Sequence, residues 1–356
     1  MKIIGIFRGF PGLGRVVSGV EIIEYFKETY QAETKIFTYL QGEEYITQRG
    51  YMIEYPVLIE DYSSIGIIPV SSYGEFIIRQ ILEFNPDFLI IDGEPLMIQA
   101  IKFLLPKIKI ATFLNPFDVD NPSNQPSSSL FFNTLFSMAD LAIVHGFWKV
   151  ENHSKNNNLY SINTIIRKEV LSITPTRSKD KICCILGGGT VNSKREFQSK
   201  SISIAIKCML LADFFEDFEF HIFCGSSEIF NEISNEERKA NTFLHPNLAS
   251  CEKYFKDSKL IIARAGRNTI SEVFYLEIPA IVIPSGCKFR AIEQKTNAEI
   301  VEEMSCNRII NVDENISIAD LVIQCKKMLK IDFQESKNWI PGNEQAIELL
   351  LNLYNS

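Results

Sequence analysis

The stretch Leu260-Ile261-Ile262-Ala263-Arg264-Ala265-Gly266-Arg267-Asn268-Thr269-Ile270-Ser271-Glu272, followed by an apolar helix face and then Ile278-Pro279-Ala280-Ile281-Val282-Ile283-Pro284, decides how this chain folds. It reads as strand, tight loop, helix, strand. The apolar run before Arg264 suits a strand buried in a parallel sheet, and Gly266 is expected to permit a turn that a residue with a Cβ would resist. Asn268 or Thr269 then stands where a helix cap is needed. A loop that leaves the carboxyl end of a parallel strand and opens a helix presents unpaired N–H groups and the positive end of the helix dipole, which favours phosphate. Glu272 follows Thr269 by three residues, as in a capping box, so its carboxylate can reach back to the helix start. One turn inside the helix, it is equally able to accept hydrogen bonds from a ribose diol.

Downstream, Ser285-Gly286-Cys287-Lys288-Phe289-Arg290 leads to Glu293-Gln294-Lys295-Thr296-Asn297-Ala298. With Arg264-Ala265-Gly266, Ser271-Glu272, Ile283-Pro284 and Gln294-Lys295-Thr296-Asn297-Ala298 in this order, the chain resembles the nucleotide-sugar glycosyltransferases of the GT-B fold. Within them it is most similar to the family of the GlcNAc transferase that makes the lipid II precursor of peptidoglycan. That family builds its donor pocket from an Arg-Ser-Gly-type loop, a helix carrying Ser-Glu, a Pro-ended strand and a Gln-x-x-Asn-Ala helix start. The resemblance implies an α/β chain of two Rossmann-like parallel-sheet domains facing a cleft. It implies donor contacts from Arg264, Ala265, Gly266, Arg267, Asn268 and Thr269, a ribose contact from Glu272, and sugar contacts from Gln294 and Asn297. Several motifs in register move the reading of Glu272 from cap to ribose.

Length and composition bound the alternatives. A chain of 356 residues that is 46% hydrophobic buries two cores more readily than one. No run of about 18 uncharged apolar residues spans a membrane. The start, Met1-Lys2-Ile3-Ile4-Gly5-Ile6-Phe7, has too short an apolar run for a signal peptide, so it reads as a first strand of a cytoplasmic protein. A formal charge of −8 without a basic block argues against nucleic acid as a partner. Eight cysteines include no Cys-x-x-Cys pair and no grouped histidine, which points to reduced, buried thiols rather than zinc ligands.

In the amino half, Arg8-Gly9-Phe10-Pro11-Gly12-Leu13-Gly14-Arg15 is a glycine-rich turn before a helix over about 16–29. A dinucleotide fingerprint would need Gly or Ala where Val17 stands, and the segment after the next strand begins Gln41-Gly42 with no acid immediately placed for a ribose, so NAD binding is not indicated. The turn resembles the Gly-Leu-Gly-His loop of a GT-B subgroup, which implies acceptor contacts from Gly12 and Gly14 and a histidine base. Here Arg15 takes the histidine's place, and a guanidinium stays protonated. Asp92, ending the strand Phe88-Leu89-Ile90-Ile91-Asp92, matches the acid that orients that histidine. Three readings stand open: Asp92 and Arg15 form a structural ion pair, Asp92 or Glu94 takes the acceptor proton, or Arg15 reads an anionic acceptor. Leu130-Phe131-Phe132 with Leu135-Phe136 and Met138 is expected to be a core-facing helix, with a face for a lipid acceptor as the lesser reading. His145 reads as a structural strand-end residue.

The polar stretch 167–181 reads as a linker. A second set of strand, glycine turn and helix follows: Ile182-Cys183-Cys184-Ile185-Leu186, Gly187-Gly188-Gly189-Thr190, then a helix from about 198 to 211. No Gly-Lys-Ser/Thr completes a P-loop, but Gly188, Gly189 and Thr190 resemble the turn by which the family approaches a diphosphate. Leu244 and His245 lie on the short strand that holds the nucleotide base in the family, although a surface histidine is the plainer reading. Domains are therefore expected over 1–166 for the acceptor and 182–342 for the donor, with 343–356 as a helix crossing back to the first. The implied activity is an inverting, metal-independent transfer from a UDP-sugar co-substrate, with no other cofactor, to a small-molecule, glycan or lipid-linked acceptor. A nucleotide-sugar hydrolase or epimerase on the same fold, or a silent binding protein, are the alternatives.

Overall fold

Short β-branched runs alternating with helices give two parallel sheets. The computed structural model describes residues 1–9, 12–57, 69, 71–120, 125–150, 158–174, 176, 180–187, 194–246, 252–286, 291–331 and 339–356. These form two units, Met1–Ile166 with Pro341–Ser356, and Arg167–Ile340. Residues 167–181, read as a linker, group with the second unit, and the final helix groups with the first.

In chain order the first unit carries β1 (Lys2–Phe7), α1 (Gly14–Tyr30), β2 (Glu33–Phe37), α2 (Gln41–Gln48), α3 (Ser72–Phe84), β3 (Phe88–Asp92), α4 (Pro95–Leu104), β4 (Lys109–Leu114), α5 (Pro116–Val119), α6 (Pro126–Phe136), β5 (Leu141–His145) and β6 (Leu159–Ile162). The second carries α7 (Lys168–Leu171), β7 (Lys181–Ile185), α8 (Lys194–Leu211), β8 (Glu219–Phe223), α9 (Ser227–Ile233), β9 (Thr242–His245), α10 (Glu252–Asp257), β10 (Ser258–Arg264), α11 (Arg267–Tyr275), β11 (Ala280–Ile283), α12 (Ala291–Met304), β12 (Ile309–Asn311) and α13 (Ile318–Met328). The last helix, α14 (Asn343–Asn355), belongs to the first unit.

The first sheet has the order β2-β1-β3-β4-β5-β6 and the second β12-β11-β10-β7-β8-β9, with parallel pairing throughout. In each, the chain leaves its first strand toward one edge and then returns to build on the other side. The reversal falls between β1 and β3 in the first unit and between β7 and β10 in the second. Such a switch point opens a crevice at the carboxyl ends of the two strands, where α/β folds bind ligands.

Alternation along β1 shows how the first core is divided. Ile3 and Phe7 pack with Val16, Val20, Ile23 and Phe26 of α1 and with Ala346, Ile347 and Leu350 of α14. Ile4 and Ile6 face Tyr73, Ile77 and Ile81 of α3 and Met97, Ile98 and Ile101 of α4. Burial on both faces is why these strands read as continuous apolar runs. The fully buried Leu350 is worth roughly 1.5–3 kcal/mol to the docking of α14. Asn343 clamps the chain where it leaves this unit: its Oδ1 accepts from the Ile166 N–H at 3.1 Å and its Nδ2 donates to the Ile166 carbonyl at 2.8 Å.

The structure corrects the reading of α6. Leu135 and Phe136 are buried, but Leu130, Phe131 and Phe132 are exposed, so the apolar run does not form a single core face. His145 closes β5 fully buried, with Nδ1 accepting from the Ile165 N–H, as a structural residue would. Cys183, Cys184, Cys208, Cys224 and Cys325 are buried thiols, and burial pushes Cys183 up to about 12, which keeps it protonated and inert. Cys306 is exposed.

Candidate functional site

The crevice of the second unit lies between Gly187, two residues past β7, and Arg264, the last residue of β10. Here α11 begins at Arg267 with Gly266 as its N-cap, and no side chain caps it. The expected cap by Asn268 or Thr269 and the capping box with Glu272 do not form, because both candidate caps already lie inside the helix. Gly266 has φ −69°, and a Cβ built on it meets nothing within 4 Å, so the turn does not demand glycine, contrary to the expectation. What glycine leaves instead, among the described residues, is open space where its own side chain would stand, at the start of α11. Gly266, Asn268 and Thr269 are half-buried and reach the surface, while Ala265 is buried.

Three buried side chains hold this crevice. Glu272 is 2% exposed and makes a two-pronged ion pair with Arg167, Nε to Oε1 and Nη2 to Oε2, each at 2.7 Å. The sequence reading treated Arg167 as the start of a linker and missed this partner. Its only signal was an arginine at the edge of a polar stretch. Asn297 donates from Nδ2 to the Ala265 carbonyl at 3.3 Å, and Gln294 accepts at Oε1 from the Ser285 N–H at 2.7 Å. Both amides therefore brace the loops after β10 and β11, a task distinct from the sugar contact implied by resemblance.

Arg264 does not project from the strand end as a free cation. Its guanidinium lies 5.3 Å from the Phe197 ring, donates to the carbonyl oxygens of Ile283 and Pro284, and pairs with Glu314 at 3.3 Å. Glu314 also holds Lys200 at 2.6 Å. Burial raises the Glu314 pKa, but Lys200, the Gly286 N–H and Arg264 more than offset it, so the carboxyl stays below its ordinary value. Arg267 is buried, with Nε donating to Asn268 Oδ1 at 3.4 Å.

Leu244 and His245 stand on β9, three strands from β10, roughly 14 Å at a spacing of ~4.8 Å. Leu244 packs on the core. His245 is no surface histidine: its ring stacks on Phe223 at 4.6 Å, and its Nε2 meets His221 Nδ1 at 3.1 Å. Gly188, Gly189 and Thr190 lie outside the described residues, as do Cys287, Lys288, Phe289 and Arg290.

In the first unit the crevice lies between Arg8, just past β1, and Asp92, Gly93 and Glu94 at the end of β3. Gly12 and Gly14 precede it, with Gly14 opening α1. Arg15 pairs with Asp92 and, through Nη2, with both oxygens of Asp118 at 2.7 and 3.0 Å. Asp118 is set by a capping box in which Asn115 accepts from the Phe117 N–H and donates its own N–H to Asp118. That box was legible as Asn115-Pro116-Phe117-Asp118. Burial opposes the Arg15 charge, but Asp118 and Asp92 outweigh it and hold the guanidinium above its ordinary pKa. With two carboxylates on one guanidinium, the reading of Arg15 as a receptor for an anionic acceptor loses its basis. The ion-pair reading is the one the geometry supports.

Glu94 differs. It is the N-cap of α4, yet its carboxylate does not cap that helix. Its Oε1 accepts from Arg8 Nε at 3.1 Å and from the Tyr39 hydroxyl. Burial raises its pKa, with Arg8 and Tyr39 acting in the opposite sense. Gly93 at φ +84° passes between the two arginines; a Cβ there would come within 2.7 Å of both Arg8 Cβ and Arg15 Cδ.

Residues 183–345 match the glycosyltransferase family 28 C-terminal domain. The family 28 match covers the second crevice with its glycine turn, Gly266, Glu272, Gln294 and Asn297. Two curated relatives are UDP-N-acetylglucosamine–N-acetylmuramyl-(pentapeptide) pyrophosphoryl-undecaprenol N-acetylglucosamine transferases. That of Rickettsia bellii is 32% identical over 101 residues, 28% of each chain, and that of Bacillus pumilus is 33% identical over 87 residues, 24% of each. The chain thus spans about a quarter of the length of the curated relatives it matches. Among solved structures, the glycosyltransferase SnogD of Streptomyces nogalater superposes with TM-score 0.60 at 12% identity over 99% of both chains. MurG of Acinetobacter baumannii gives 0.59 at 13% over 99% of this chain and all of that one. The UDP-GlcNAc 2-epimerase of Methanocaldococcus jannaschii gives 0.59 at 11% with the same coverage. These likenesses show the fold, and with two six-stranded parallel sheets the chain is a GT-B protein similar to the family 28 transferases. Among the described residues, no helix is long and apolar enough to cross a membrane.

Proposed function

We propose that this chain is an inverting glycosyltransferase that moves a sugar from a UDP-sugar to an acceptor hydroxyl, with the donor on the second unit and the acceptor on the first. The observation that carries the reading is the uncapped start of α11 at Gly266, with open space before it, at the switch point of the family 28 domain. The partial positive charge there stabilises negative charge as it gathers on the departing diphosphate, a task that needs no metal ion. Glu272, held rigid by Arg167, keeps lone pairs for the ribose hydroxyls. In the first unit Asp92 is committed to Arg15, so Glu94 is the residue assigned to take the acceptor proton. Its raised pKa brings it toward the range where a base is effective near neutral pH. The acceptor is a neutral hydroxyl compound, lipid-linked as in the names of the curated relatives or otherwise. The epimerase likeness extends to the fold alone, whereas the family match favours transfer.

Isothermal titration with uridine, UMP and UDP tests the donor assignment. Affinity is expected to rise at each added phosphate. Equal affinity for uridine and UDP would show that the α11 start does not receive the diphosphate.

A further inference from the structure

The two carboxylates at the carboxyl end of β3 are held in different ways. Asp92 shares the single Arg15 guanidinium with Asp118, two carboxylates on one cation. Glu94 is 3% exposed, turned away from the helix it precedes, and fastened by one oxygen only: Arg8 and Tyr39 both donate to Oε1, and Oε2 has no hydrogen-bond partner among the described residues. Tyr39 comes from the loop after β2 and is itself 1% exposed, its ring edge-on to Tyr73 at 6.2 Å. A phenol buried this deeply needs a hydrogen-bond partner, and here its hydroxyl donates to Glu94.

We propose that Tyr39 and Arg8 are positioning residues for Glu94: they fix Oε1 so that Oε2 is the atom presented to the acceptor at the β1/β3 crevice. The proposal rests on the reading of Glu94 as the proton acceptor. In the step, the acceptor hydroxyl gives its proton to Oε2 while its oxygen bonds to the anomeric carbon. The bond from that carbon to the diphosphate oxygen breaks, and its electron pair leaves with UDP. Two donors on Oε1 also favour the charged carboxylate, so they act against the burial that raises its pKa. Arg8, 31% exposed at its side chain, supplies charge, and the buried Tyr39 supplies direction.

The test is a ¹³C NMR titration of the full chain labelled at glutamate, with the Glu94 carboxyl assigned by its loss in Glu94→Gln. Tyr39→Phe keeps the ring and removes only the hydroxyl. The Glu94 midpoint is expected to move upward in Tyr39→Phe and in Arg8→Gln. The acid limb of UDP release from UDP-N-acetylglucosamine, with water as acceptor, is expected to move with it. Turnover at neutral pH should fall several-fold while UDP affinity is unchanged. A midpoint that stays in place in Tyr39→Phe would overturn the positioning role. If instead Glu94→Gln releases UDP at the parent rate, the assignment of Glu94 as base fails whatever Tyr39 does.

Discussion

Removing Arg167 is the perturbation that most clearly separates scaffold from ligand contact in the donor unit. Arg167→Met keeps the aliphatic stem and deletes the guanidinium, leaving the Glu272 carboxylate, 2% exposed, without the partner that now meets both its oxygens at 2.7 Å. Breaking a buried pair from one side costs about 3–5 kcal/mol, because the remaining charge has lost both water and counter-ion. For a folding unit of this size each kcal/mol lowers Tm by about 2–4 °C, so differential scanning calorimetry should show a fall of about 6–20 °C. Arg167→Met combined with Glu272→Met removes both charges and should return to within about 1 kcal/mol of the parent, since apolar replacement of a buried pair is close to neutral. UDP affinity should behave otherwise: the double variant, though stable, should remain weaker by about 1–3 kcal/mol, the worth of hydrogen bonds to a charged group. A single variant costing less than about 0.5 kcal/mol, or a double variant with parental UDP affinity, would refute the reasoning.

Two further outcomes follow from the ion networks. Glu314 has its pKa depressed from 4.5 by Lys200, Gly286 and Arg264 acting against burial, so its contribution to stability is complete above that value and is lost as pH falls through the lower folded pKa. Melting curves of Glu314→Gln between pH 6 and about 2 should therefore start lower and show a shallower acid limb than the parent; parallel limbs would remove Glu314 from that role. Arg15→Ala leaves Asp92, 1% exposed, facing an empty site and should cost about 3 kcal/mol or more in chemical denaturation, with UDP affinity unchanged. A stable Arg15→Ala protein would reopen the reading of Arg15 as a receptor for an anion.

Much of the fold was legible because both faces of each sheet are covered, so the strands announce themselves as apolar runs such as Ile3–Phe7 and Leu260–Ala263. The glycine turns and helix starts marked both switch points. What could not be read was which polar groups meet across sequence distance. Arg167 and Glu272 lie 105 residues apart, and Tyr39 and Glu94 55 apart. No local period encodes either pair. The helix-cap reading of Asn268 and Thr269 failed for a simpler reason: Gly266 is itself a competent N-cap, and the helix starts two or three residues early. The apolar run of α6 misled because Leu130, Phe131 and Phe132 face outward while only Leu135 and Phe136 reach the core.

The central claim is that a diphosphate occupies the open space in front of Gly266. Because a Cβ there meets no atom within 4 Å and φ is −69°, Gly266→Val should fold, with Tm lowered by no more than the few degrees a poorer N-cap costs. The same side chain would stand where the phosphates must lie, so calorimetric titration with UDP should show affinity reduced at least tenfold, with uridine much less affected. UDP binding as tight as in the parent, by a protein that melts within those few degrees of it, would contradict the account.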